Sequence, residues 1–174
     1  MSTASSLARE PACSGQHIEL GKSSSAPKAE KALLCLLNRE REKRGVPRLT
    51  RHYRLDGPAR DHSKVMVEKG CFAHTCEGES SLGDRLADYL AQGGQGYGEN
   101  IANGIAEAGT PWSVVRSWMK NKGNRRNVLD RDYEHAGIGV VEGTPNEPAM
   151  GATYTADFGY RGQKRPMSAR KASA

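Results

Sequence analysis

Ala136-Gly137-Ile138-Gly139-Val140-Val141 and, further along, Ala152-Thr153-Tyr154-Thr155-Ala156-Asp157-Phe158 decide the fold of this chain. Both runs are short and carry β-branched or aromatic residues, so they read as strands. Gly143-Thr144-Pro145-Asn146-Glu147-Pro148 lies between them and suits a hairpin with a long loop. Upstream the period changes from two residues to about 3.6.

Working back from the hairpin, Thr110 and Pro111 start a helix as cap and first residue, with Trp112, Val115, Trp118 and Met119 at helical spacing. Both tryptophans are expected to anchor a core. Ser81-Leu82-Gly83-Asp84 resembles a capping box opening a helix through Leu86 and Leu90, stopped by Gly93-Gly94. Another helix is expected from Leu55 to Lys69, with Pro58 in its first turn. The first spans Lys28 to Arg44, with Leu33, Leu34 and Leu37 on one face, Pro27 before it and Gly45 after it. Residues 98–102 are a third, short strand candidate. Helices first and an antiparallel pair last predict an α+β layered domain.

At 174 residues the chain suits one domain. Its hydrophobic fraction is 36%, below the roughly 45–50% of an average domain, which predicts one modest core with polar ends. We expect a flexible arm over residues 1–26, a domain over 27–160 and a basic disordered tail over 161–174. The net charge is +6, and Arg161, Lys164, Arg165, Arg170 and Lys171 supply five of it. A basic tail of this composition solubilises, or adheres loosely to an anionic polymer or membrane. Aromatic and basic residues do not interleave in the body, which argues against a specific nucleic-acid surface. No apolar run approaches the roughly 18 residues of a membrane span. Residues 1–7 lack the pattern of a secretory signal, so either the leader lies outside this stretch or the protein stays inside.

Four cysteines permit three pairings. Cys71–Cys76 with Cys13–Cys35 is the favoured one, contributing roughly 2 and 3 kcal/mol respectively on the chain-entropy model. Four reduced buried thiols are the alternative. An even count points to an oxidising compartment.

Two strings carry the chemistry: Cys71-Phe72-Ala73-His74-Thr75-Cys76 and Gly98-Glu99-Asn100-Ile101-Ala102. Each sets one ionisable side chain among small or apolar residues, and an imidazole beside a carboxylate is a natural proton-handling or metal-holding pair. The stretch 118–129, where further polar groups are needed, offers amides instead. No serine sits in a Gly-x-Ser-x-Gly elbow.

With Leu37-Asn38-Arg39-Glu40-Arg41, His62-Ser63-Lys64-Val65-Met66, Phe72-Ala73-His74, Trp118-Met119, Asn127-Val128-Leu129, Gly137-Ile138-Gly139-Val140 and Tyr154 to Gly159, these strings resemble the CAP superfamily. That superfamily comprises cysteine-rich secretory proteins, antigen five and plant pathogenesis-related proteins, and the similarity is to its bacterial SCP-type branch. The matches fall in family order over residues 32–160. The resemblance implies a three-layer α-β-α sandwich around a small antiparallel sheet, secretion, and a cleft with two histidines and two acids that sometimes holds a divalent cation. His74 matches the first histidine and Glu99 an acid. The second acid position is Asn121, where bacterial relatives often depart too, and the second histidine position is Asn124.

A cleft of His74, Glu99, Asn100, Asn121 and Asn124 offers too few imidazole, thiolate or carboxylate ligands for zinc and too few carboxylates for calcium, so no metal or other cofactor is expected. His62 and His135 could rescue a metal site only if the fold brought them in, and each is expected to be structural or at the surface. His74 and Glu99 are the candidate catalytic residues, as a general acid–base dyad. The competing reading is a charge-assisted hydrogen bond that fixes the cleft wall. The expected function is therefore a secreted, non-enzymatic binding module, monomeric, for a small apolar ligand such as a lipid or sterol or for a cell-envelope component. The alternative is a peptidase-like hydrolase using His74 and Glu99, with or without a metal.

Overall fold

The structure is a computed structural model that describes residues 12–20 and 25–162. The expected tail lies outside these residues apart from Arg161 and Gly162, as do residues 1–11 and 21–24 of the expected arm. Helix α1 (Ala26–Glu42) has Pro27 in its first turn and Arg39 and Arg41 in its last, where cations suit the helix dipole. Gly45, at φ +61°, carries the chain out of it. Strand β1 (Thr50–Arg51) is followed by α2 (Tyr53–Glu68). Here Pro58 sits inside the helix, not in its first turn. The reason is an earlier start: the His52 ring accepts the Arg54 N–H at 3.3 Å and caps the helix.

The next expected helix is two short ones, α3 (Leu82–Arg85) and α4 (Ala87–Ala91), interrupted at Leu86. Ser81 caps the first as expected, accepting the Asp84 N–H and donating to the Asp84 carboxylate. Strand β2 (Gly94–Gly104) is eleven residues long, not a short segment. Its ladder with β4 runs through glycines that propensity disfavours. Helix α5 (Pro111–Lys120) is capped by Thr110, and α6 (Lys122–Leu129) follows at once. The hairpin closes the domain as β3 (His135–Glu142) and β4 (Ala152–Arg161).

The sheet order is β1-β3-β4-β2. Three strands are antiparallel neighbours, and the two-residue β1 adds a parallel edge. Helices α1, α5 and α6 pack together on one face, and α2, α3 and α4 cover the other, giving a three-layer α-β-α sandwich. Alternation along β3 explains the asymmetry of the layers. Ile138 and Val140 face the larger core with Leu33, Leu37, Trp118 and Phe158, where each fully buried leucine contributes about 2 kcal/mol. Gly137 and Gly139 face α2, and a Cβ on either would stand 2.1–2.2 Å from the backbone of Leu55 or Ala59. Only glycine lets α2 lie this close to the sheet.

Trp118 is fully buried and donates its indole N–H to the Ile101 carbonyl at 3.0 Å, holding α5 to β2. Trp112 is only half-buried, against the same core. Cys13–Cys35 and Cys71–Cys76 form the two disulfides. The first bridge pins residues 12–20 against the domain, with Cys13 and Leu20 buried and the Trp112 N–H bonded to the Gln16 carbonyl.

Arg41 is buried, and no carboxylate among the described residues is bonded to it. Its guanidinium donates to the carbonyls of Pro47, Val128, Asp130 and Tyr133 at 2.6–2.9 Å. Burial lowers its pKa to about 10, with Asp130 opposing. One side chain thus fixes the loop between α6 and β3.

Candidate functional site

Glu99 sits mid-strand on β2 with its side chain toward α2 and α3, and 5% of the residue is exposed. A lone buried carboxylate is costly, so it must be paired. Its Oε1 lies 2.6 Å from His74 Nδ1, and its Oε2 accepts Arg85 Nη2 at 2.5 Å. Arg85 comes from α3, and its Nη1 also donates to the His74 carbonyl at 3.0 Å. The loop bearing His74 is therefore held by the Cys71–Cys76 bridge and by Arg85.

A second pair lies behind the first. His62, fully buried on α2, places Nδ1 2.7 Å from Glu79 Oε1 and Nε2 3.9 Å from Glu99 Oε1. Glu79 Oε2 accepts the Cys76 N–H at 3.0 Å, and Arg85 lies 3.4 Å from the other oxygen. Asp157 completes the cluster as the β4 partner of Glu99 in the ladder. It is fully buried, and neither of its oxygens meets a hydrogen-bond donor among the described residues.

The electrostatics follow from this geometry. The hydrogen bond to Glu99 raises the His74 pKa above the ordinary histidine value, although burial and Arg85 oppose it. Burial pulls Glu79 upward, but the Cys76 N–H, His62 and Arg85 outweigh that and hold it low. Burial, and then the Glu99 charge, push Asp157 far above the carboxylate range, with Arg85 opposing. Asp157 is thus the acid of the cluster that burial drives toward its protonated form. The imidazole of His74 is 62% exposed, so it presents its outer edge at the surface of an otherwise buried network.

The amides sit elsewhere. The Asn121 carboxamide caps α6, accepting the N–H groups of Gly123 and Asn124 at 2.9 and 3.0 Å. Asn100 points to the opposite face of β2 from Glu99, as strand alternation requires. There it donates to the Asn124 carbonyl at 3.1 Å and accepts from Asn127 at 2.9 Å. Among the described residues no hydrogen bond joins Asn100, Asn121 or Asn124 to the His74–Glu99 pair. His135 lies away from the pair and accepts from, or donates to, the Tyr89 hydroxyl at 3.0 Å. His62 is the residue the fold does bring in.

Arg85, Glu79 and Asp157 were not candidates from the sequence. Arg85 and Glu79 stand in a four-residue helix and a loop, with no periodicity to mark them. Asp157 does carry a signal, as an acid inside the apolar β4 run. The donor set does not fit a divalent cation: both Glu99 oxygens are engaged, and His74 turns Nδ1 inward. No group of three or more His, Cys, Asp or Glu suited to a metal occurs among the described residues.

Residues 34–156 match the model of the cysteine-rich secretory protein family, CAP, and the chain belongs to that family. It is 36% identical over 122 residues to the uncharacterized protein YkwD of Bacillus subtilis, covering 68% of this chain and 45% of that protein. It is 34% identical over 112 residues to the uncharacterized membrane protein YlbC of the same species, covering 64% and 31%. The chain therefore spans less than half the length of these relatives. Among solved structures it is similar to an extracellular protein containing an SCP domain from Bacillus anthracis, with a TM-score of 0.66 and 26% identity over 78% of this chain and 41% of that one. An outer surface protein of Borrelia burgdorferi shares the fold, with a TM-score of 0.64 and 20% identity over 76% and 92%. No helix among the described residues is long and apolar enough to cross a membrane.

Proposed function

We propose that this CAP domain is a secreted, non-enzymatic binding module, with a small apolar ligand or a cell-envelope component as its partner. The observation that carries the reading is the occupancy of Glu99: His74 and Arg85 take both its oxygens within 2.6 Å, leaving neither without a partner. Freeing Glu99 from Arg85 for another partner would cost the pairing energy of a buried ion pair. The extracellular and outer-surface descriptions of the Bacillus anthracis and Borrelia burgdorferi proteins support the location. The two disulfides support an oxidising compartment.

The test is retention. Purified protein is incubated with the envelope fraction and with extracted lipid of its host, beside a His74→Ala variant. Saturable retention, weakened in the variant, is the expected result. Broad hydrolase profiling showing turnover that disappears in His74→Ala would overturn the binding-only reading.

A further inference from the structure

The opposite face of β2 carries a second concavity, independent of the His74–Glu99 cleft and of the function proposed for it. It is a cavity of about 380 Å³, walled by Tyr133 and Tyr160, with Gln95, Asp130 and Asp132 around it and Tyr97 at its exposed lip. The chain is strongly basic, yet this lining holds two carboxylates and no cation. Two buried tyrosine rings, Tyr133 and Tyr160, wall it.

The walls are built by the sequence. Gly96 and Gly98 carry no Cβ on this face, and that space is taken by the Tyr160 and Tyr133 rings. The two rings stand 6.4 Å apart at 40°, and Phe158 stacks behind Tyr133. Both tyrosines are more than nine-tenths buried, so the two rings are fixed walls of the cavity. Burial, then the Asp130 charge, push the Tyr133 hydroxyl up to about 12, so it stays a neutral donor and acceptor. Asp130 Oδ1 accepts the Asp132 N–H at 2.9 Å, and Arg41 holds the Asp130 and Tyr133 carbonyls, so the rim is fixed before any ligand arrives.

We propose that this cavity is a binding site for an organic ammonium group, free or carried on a lipid headgroup. Ring faces and phenol oxygens attract a cation, the Asp130 carboxylate balances its charge, and an aliphatic ammonium exposes no acceptor that this lining would leave unmatched. The volume lies in the range of small-ligand sites.

The test uses the full chain at constant ionic strength. Choline chloride is titrated against 3,3-dimethyl-1-butanol, which has the same shape without the charge, and amide shifts of Gly96 and Tyr160 are followed by NMR. Saturable shifts with choline, and affinity at least about tenfold weaker for the alcohol, are expected. Tyr160→Leu is expected to abolish the shifts. Since that ring is also a core residue, Asp130→Asn is the second variant: it keeps the oxygen that accepts the Asp132 N–H but loses the charge, and should weaken choline about tenfold. Sedimentation with phosphatidylcholine vesicles separates the sources: pelleting marks a headgroup, and binding of free choline alone marks a soluble amine. Equal affinity for the alcohol, unchanged choline binding in Asp130→Asn, or pelleting with phosphatidylglycerol vesicles without any choline shift would overturn the assignment.

Discussion

Asp157→Asn tests the charge assignment in the His74–Glu99 cluster. Asp157 is fully buried beside Glu99, and its pKa is raised far above the unfolded value of about 3.9. The folded protein therefore holds a proton that the unfolded chain releases. For a group raised in this way, stability falls as pH rises above the unfolded pKa and levels off near the folded one. The slope for one proton is about 1.4 kcal/mol per pH unit. Asparagine has the shape of the neutral acid, keeps a donor to offer Glu99, and takes up no proton. Urea unfolding of both proteins from pH 4 to pH 8 gives the difference directly. The stability of Asp157→Asn minus that of the wild type should grow by about 1.4 kcal/mol per pH unit above the unfolded pKa. A difference that stays flat, or that shrinks with pH, would show Asp157 ionised in the folded state and the reasoning wrong.

Other outcomes are equally concrete. The His74 imidazole should titrate by NMR above the ordinary histidine value and return toward it in Glu99→Gln, because the Glu99 hydrogen bond is the main cause of the shift. Gly139→Ala should cost about 3 kcal/mol or more in urea unfolding, because its Cβ would meet Ala59 backbone that has no rotamer to move. Arg41→Ala should cost about 3–5 kcal/mol, since four carbonyls lose one shared donor. Replacing Cys71 and Cys76 together by serine should cost roughly 2 kcal/mol and raise amide exchange around His74.

The helices with punctuation were legible in the sequence. Pro27 and Gly45 bracket α1, and Thr110-Pro111 opens α5. Helix α2 began two residues early because its cap is a histidine, which propensity does not favour there. Helix α6 was not expected from the sequence, in which residues 118–129 stood out only for their polar groups. In the cleft, His74 and Glu99 were visible as isolated ionisable residues. His62 was visible in a subtler way: Leu55, Ala59, His62 and Met66 are all fully buried at helical spacing, so the imidazole occupies a core position. Arg85 could not be inferred, since its role depends on where α3 stops relative to a strand that follows it. Partnership across the sheet, as between Glu99 and Asp157, needs the register, and one sequence does not supply it.

The bare backbone of Gly137 and Gly139 has a reach beyond the sheet it belongs to. Helix α2 rests on it, with the Ser63 hydroxyl bonded to the Gly139 carbonyl and to Thr155, and the neighbouring residue on that helix is His62. The separation between these two layers therefore sets how far one imidazole stands from the Glu99 carboxylate. A single methyl added beneath the helix would retune an ionic cluster through its floor, without touching any residue that bears charge.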